Sequence, residues 1–246
     1  MRRKEYIPMV FKKILEDICM KIVLISGQNH KGSTYNIGRM LADKVGGEIT
    51  EYFLPRDFGE FCIGCTNCFM KGETHCPHYS QLLPITQAMD EADLLIFSSP
   101  VYVLHVTGSM KAFLDHYGYR YMVHRPEEKM FHKQAVCIST AAGGGMRSTN
   151  KDIADSLIFW GIPKVYRYGV AVRAISYEGV SQKIKEKIDR KTNALAAKIV
   201  QRNGKVRPGI RTLFWFYVVR AFQGSSGVDH RYWKEKGWTG KKRPWK

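Results

Sequence analysis

The chain has 246 residues, of which 44% are hydrophobic and 25% charged, and a formal net charge of +17 at pH 7. That length suits one α/β domain with extensions rather than two domains, and the composition excludes global disorder. No run approaches the roughly twenty apolar residues that a membrane-spanning helix requires.

The positive charge is unevenly placed. From Gln201 onward twelve Lys and Arg face two acids, so more than half of the excess lies in the last fifth. Such a segment reads as a solvated surface, or as an attractor for nucleotide phosphates, an anionic membrane face or an acidic redox protein. At the other end, Met1-Arg2-Arg3-Lys4 has the charge of a signal peptide. Glu5, Pro8, Lys12, Lys13, Glu16 and Asp17 interrupt the apolar core that such a peptide needs. A cytoplasmic protein is expected, and in a reducing compartment the six cysteines are not a disulfide framework by default. Residues 1–19 read as an N-terminal extension, 20–204 as the main domain and 205–246 as a basic, Trp-rich C-terminal extension.

Short apolar runs then alternate with helical patterns, the signature of a parallel sheet wrapped by helices. Ile22 to Ile25 is a continuous apolar strand, as expected for burial on both faces. Ile37, Met40, Leu41 and Val45 recur at helical spacing until Gly46-Gly47 stops them. Ile49–Leu54, Leu94–Phe97, Ala135–Ile138 and Val165–Val172 are the further strands. Ile153, Leu157 and Trp160 mark the helix before the fifth, and Ile184, Ile188, Leu195 and Ile199 stripe a charged helix ending at Asn203-Gly204. The prediction is an α/β, doubly wound five-stranded parallel sheet with helices on both faces, whose ligands sit beyond the carboxyl ends of the strands.

Three loops leave those ends. Ser26-Gly27-Gln28-Asn29-His30-Lys31-Gly32-Ser33-Thr34 feeds a helix N-terminus, which offers backbone N–H groups and a positive dipole end to an anion. It matches neither the Walker pattern nor G-x-G-x-x-G. Ser98-Ser99-Pro100-Val101-Tyr102-Val103-Leu104 makes a stiff, partly apolar ledge suited to a flat ring. Ser139-Thr140-Ala141-Ala142-Gly143-Gly144-Gly145 lets backbone approach a ligand without side-chain obstruction. Between the second and third strands, Cys62, Cys65, Cys68 and Cys76 stand in C-x2-C-x2-C-x7-C order. Thiols that dense point to a metal: an iron–sulfur cluster on all four, or zinc with His75 and His78 as further candidates, the remaining reading being free or redox-active thiols.

The three loops, and above all Ser98-Ser99-Pro100-Val101-Tyr102 followed by Lys111-Ala112-Phe113-Leu114-Asp115, resemble the NAD(P)H-dependent FMN reductase and iron–sulfur flavoprotein family over roughly residues 20–175. Asp229 to Trp238 is similar to an ending found in some members. In the first loop Gln28 and His30 stand where the family usually has Ser and Arg. The resemblance implies a flavodoxin-like fold and FMN, with a reduced nicotinamide as electron donor and a further, unidentified acceptor. It places FMN on Ser26, Gln28, His30, Ser33 and Thr34, on Pro100, Val101, Tyr102 and Val103, and on Thr140, Ala141, Gly143 and Gly144. It also implies a 4Fe-4S cluster on the four cysteines in some relatives, and a homo-oligomer whose second subunit completes the flavin site. No catalytic side chain is required, because the redox chemistry belongs to the flavin. The rival readings are a non-catalytic flavodoxin-like carrier, and nucleic-acid or membrane-surface binding through the basic C-terminal region. The nucleic-acid reading rests on Trp215, Tyr232, Trp233, Trp238 and Trp245 among cations, without a recognised motif.

Overall fold

The computed structural model describes residues 19–246, so the expected N-terminal extension lies, except for Cys19, outside the described residues. β1 (Lys21–Ser26), β2 (Glu48–Phe53), β3 (Leu94–Ser98), β4 (Gln134–Ala141) and β5 (Lys164–Ala171) form one sheet in the order β2-β1-β3-β4-β5. Every pairing is parallel, with Ile22 beside Leu94 and Leu94 beside Gln134. This is the flavodoxin-like order, in which the chain reverses direction across the sheet between β1 and β3.

Alternation along the strands divides the core in two. Val23, Ile25, Leu95, Phe97, Ala135 and Cys137 pack on one face against α3 (Tyr79–Glu91), α4 (Gly108–Asp115) and α5 (Met146–Phe159). Ile22, Leu24, Leu94, Ile96, Val136 and Ile138 face the other way, against α1 (Ser33–Val45) and α6 (Gln182–Arg202). Both faces of β1, β3 and β4 are therefore covered, which is why these strands read as unbroken apolar runs rather than alternating ones. A short helix, α2 (Asn67–Met70), lies inside the cysteine segment.

The basic C-terminal region folds back onto this domain. α7 (Ile210–Ala221) and α8 (Gly227–Glu235) build a third cluster in which Phe216, Val219, Trp233 and Trp238 meet Met122 and Phe131. Trp233 stacks on Phe216 at 5.0 Å and its indole N–H donates to the His124 carbonyl at 2.6 Å. Trp233 and Trp238 are buried, and Trp215, Tyr232 and Trp245 lie against the same cluster. The aromatic residues on which a base-stacking surface depends are thus spent on folding. Among the described residues no helix is long and apolar enough to cross a membrane.

Candidate functional site

The three predicted loops meet at the carboxyl edge of β1, β3 and β4, and hydrogen bonds lock them together. Gly27 N donates to the Ser98 carbonyl at 2.7 Å, while the Gly27 carbonyl accepts from Thr107 Oγ1 at 2.7 Å and Ser109 Oγ at 2.9 Å. A Cβ at Gly27 would stand 2.8 Å from Thr107 Oγ1, so only glycine permits this approach. Thr107 is also the N-cap of α4, accepting from Met110 N, and its own N–H donates to Ser99 Oγ. The second loop is pinned to the third by Val101 N, which donates to the Thr140 carbonyl at 2.9 Å. The first is pinned to the third by the buried hydroxyl pair Thr34 and Thr140, 2.5 Å apart.

Ser33 is the exception in this network. It opens α1, and its Oγ is buried with no hydrogen-bond partner among the described residues. Gly32, the N-cap, has no side chain to satisfy the first turn, and that turn carries no acid. A buried donor beside the free N–H groups of a helix start is what an anion such as a phosphate requires, and left alone it costs free energy. The residues present therefore fit the phosphate end of FMN. His30 is exposed, its ring lying over Gly32, whereas Lys31 turns away to sit 5.3 Å above the Tyr35 ring. Ser26 is buried as the last residue of β1 and frames the loop from below.

The ledge is built as a tight reversal. Tyr102 and His105 exchange both backbone hydrogen bonds, and Val103 (φ 47°) and Leu104 (φ 68°) between them are left-handed. Neither is glycine, and a β-branched residue in that region is strained, a feature that clusters at ligand sites. The tip projects into solvent: Tyr102 is 51% exposed, Val103 94% and Leu104 62%. Tyr102 is thus not a core residue, and its hydroxyl accepts from Gln28 Nε2, bridging the first two loops. Pro100 and Val101 are half-buried beneath it, and Ala141, Gly143 and Gly144 line the opposite side, with open space around both glycines. Gly145 (φ 91°) ends that loop; a Cβ there would stand 2.5 Å from Val101 Cγ1.

The cysteine segment leaves the same sheet edge after β2. Cys62 and Cys65 are exposed, and Cys68 and Cys76 are half-buried. Burial raises the Cys68 thiol pKa, and Cys76, Cys62 and Cys65 raise it further. Gly64 and Thr66 take left-handed backbone to make the turns between them. A clamp holds the segment against the C-terminal helices. The buried Arg125 guanidinium donates to the Cys68 carbonyl, to Glu73 and to Asp229 of α8, and His124 pairs with Asp229 at 2.7 Å. Next to Cys76 stand His78 and His116, whose rings are joined at 2.9 Å; burial lowers the His116 pKa. His75, the other histidine considered for zinc, is instead beside Thr74.

Sequence reasoning missed Thr107, Arg125, His116 and Asp229. Thr107 had a local signal, a hydroxyl residue directly before a helix. The others did not, because their partners lie 38 to 104 residues away. A separate cavity of about 580 Å³, lined by Lys21, Asp90, Lys133 and Gln134, lies at the amino ends of the strands, away from the three loops.

The order of the sheet, with three loops gathered at its switch point, defines a flavodoxin-like fold. The sequence model of the NADPH-dependent FMN reductase family matches residues 20–174, and the chain belongs to that family of oxidoreductases. An iron-sulfur flavoprotein of Archaeoglobus fulgidus is 28% identical over 235 residues, spanning 89% of this chain and 99% of its own. An iron-sulfur flavoprotein of Methanocaldococcus jannaschii is 30% identical over 143 residues, 54% of this chain and 69% of its own. Among solved structures the fold is similar to a flavone reductase (TM-score 0.55, 18% identity, 74% of this chain and 62% of the other). It is also similar to an azoreductase of Bacillus anthracis (TM-score 0.51, 12% identity, 74% of this chain and 99% of the other).

Proposed function

We propose that this protein binds FMN across the three loops, draws electrons from NAD(P)H and passes them on, with a four-iron cluster held by Cys62, Cys65, Cys68 and Cys76. The observation that carries the flavin assignment is the orphaned, buried Ser33 hydroxyl at the start of α1. Bound there, FMN would supply the redox chemistry, hydride acceptance and one- or two-electron transfer. The chain's own work is to bind and orient. The Ser33 hydroxyl and the first-turn N–H groups of α1 hold the phosphate, Gln28 and His30 stand at its solvent side, and the Thr34–Thr140 pair fixes the floor. The Tyr102–His105 reversal with Pro100 and Val101 limits the ring on one side, and Ala141, Gly143 and Gly144 approach with backbone alone, their N–H groups available for developing negative charge.

The iron reading of the four cysteines rests on their C-x2-C-x2-C-x7-C order and on the iron-sulfur flavoproteins to which the chain is similar.

Protein purified anaerobically should be yellow, with about one FMN, four iron and four sulfide per chain, and should oxidise NADPH or NADH directly. Stoichiometric FMN without nicotinamide oxidation would mark a flavodoxin-like carrier instead. Cys65→Ser should remove the iron and leave the flavin. Reconstituted protein with FMN and no iron would reduce the assignment to a plain flavin reductase. A cytoplasmic homodimer belongs to the same reading, supported by the exposed Phe61 and Ile63 beside the cysteines and Val103 and Leu104 at the flavin loops.

A further inference from the structure

Cys76 is the last cysteine of the run and caps the turn Glu73–His75, His78 directly precedes α3, and His116 is the C-cap of α4, 38 residues further on. Their ligating atoms nonetheless all lie within 4.8 Å of one another, the one such trio among the described residues. The arrangement is oriented as well as close. His116 Nδ1 contacts the Ala112 carbonyl at 2.8 Å, and a carbonyl only accepts, so the proton is on Nδ1 and the Nε2 lone pair faces His78 and Cys76. The His116 ring is held edge-on by Phe58 at 4.8 Å. Surroundings that fix one imidazole tautomer are what hold a metal-binding histidine in place. A plain histidine–histidine hydrogen bond does not explain the thiol beside it.

We infer that Cys76, His78 and His116 form a site for one divalent metal of the zinc class, sharing Cys76 with the cysteine run. Tetrahedral geometry asks for about 3.3 Å between the two nitrogens and about 3.6 Å from each to sulfur. The histidine pair, now 2.9 Å apart, needs to open by only about 0.4 Å. Cys76 and His78 are half-buried, which leaves a fourth position open to water, the pattern of three protein ligands plus solvent. Binding releases the thiol proton of Cys76, and the proton between the rings moves to His78 Nε2; nothing is oxidised or reduced. Because one thiolate cannot serve both, the site and the four-iron centre exclude each other. That exclusion rests on the four-iron reading above, whereas the metal site does not.

The test uses full-length protein stripped of iron and titrated anaerobically with cobalt(II), then zinc. The expected result is one cobalt per chain, with thiolate-to-cobalt absorption in the near ultraviolet and intense tetrahedral bands at longer wavelength than the flavin, all removed by one equivalent of zinc. His116→Gln should weaken cobalt binding by at least about 100-fold, more than the loss of an outer-shell partner alone. It should leave iron reconstitution intact. Should that buried variant fail to fold, as judged by retained FMN, the half-buried His78→Gln carries the same test. Cys62→Ser should do the opposite, keeping cobalt and losing iron, and Cys76→Ser should lose both. An unchanged cobalt spectrum in the histidine variants, loss of cobalt in Cys62→Ser, or no thiolate band in the parent protein would each overturn the site. Failure of iron reconstitution in every protein, with cobalt binding intact, would remove the four-iron reading and leave the metal site standing.

Discussion

Ser33 and Thr34 stand next to each other in the first turn of α1, yet their hydroxyls have different work. Ser33 Oγ has no hydrogen-bond partner among the described residues, whereas Thr34 Oγ1 ties α1 to Thr140. Ser33→Ala should therefore weaken FMN binding by about 1–3 kcal/mol while leaving the stability of the flavin-free protein unchanged or slightly raised. Thr34→Ala should lower both, since it orphans the Thr140 hydroxyl; flavin titration and urea unfolding of the two variants separate the roles. Lys133 offers a pH test unconnected with the flavin. Its ammonium is buried, donating to the Asp90 and Ala92 carbonyls, and burial lowers its pKa from 10.5 to about 8. Between those values the folded chain binds fewer protons than the unfolded one, so this residue's contribution to stability rises with pH through that window and is absent below about 8. Relative to Lys133→Met, the parent should gain up to about 1.4 kcal/mol per pH unit from 8 to 10.5, read by urea unfolding across that range.

At the scale of elements, strands and helices were legible because burial on both faces writes itself as unbroken apolar runs, and helical stripes end at glycine. Boundaries moved by one to three residues: β4 runs to Ala141, past the expected Ile138, because Thr140 and Ala141 still pair with β5. What the pattern did not contain was the shape of the second loop. Nothing in Tyr102-Val103-Leu104-His105 announces two consecutive left-handed residues, since glycine is the usual signal for such a reversal. Val103→Gly should relieve that backbone at little packing cost, the side chain being almost wholly exposed. A gain of about 0.5–1 kcal/mol in urea unfolding is expected, the 1–2 kcal/mol of left-handed strain being offset in part by the freer unfolded chain. FMN affinity should fall if the valine side chain covers the ring, and a loss of stability with unchanged flavin binding would refute that role.

The whole molecule is closed by its C-terminal region. Asp229 of α8 accepts from Arg125 and is hydrogen-bonded to His124, and Arg125 in turn holds the Cys68 carbonyl. Asp229→Asn should cost about 1.5–3 kcal/mol, the range for hydrogen bonds to charged groups, and should loosen the cysteine segment. Faster amide exchange confined to residues 62–76 and α8 would show that coupling. α7 turns Phe216 and Val219 inward but leaves Ile210, Phe214 and Tyr217 on its outer side, with Arg211 among them. Light scattering should give a dimer or larger assembly. A monomer that binds anionic vesicles in a salt-sensitive way would assign that face to a membrane surface instead.

The sequence by itself determined the sheet and the family, because strand burial, helix stops and three loop motifs are local patterns. It also marked three loops that meet at one sheet edge and four cysteines in one segment. Only the tertiary structure decided which groups those residues touch. It left Ser33 Oγ without a partner among the described residues and gave Thr34 one, put Tyr102 in solvent, and buried Trp233 and Trp238 of the C-terminal region. It also joined Cys76 to a histidine 40 residues further on. Those outcomes depend on which distant backbone and side-chain groups meet when two layers of helices close on the sheet, and hydrogen bonds between such groups leave no periodic trace along the chain.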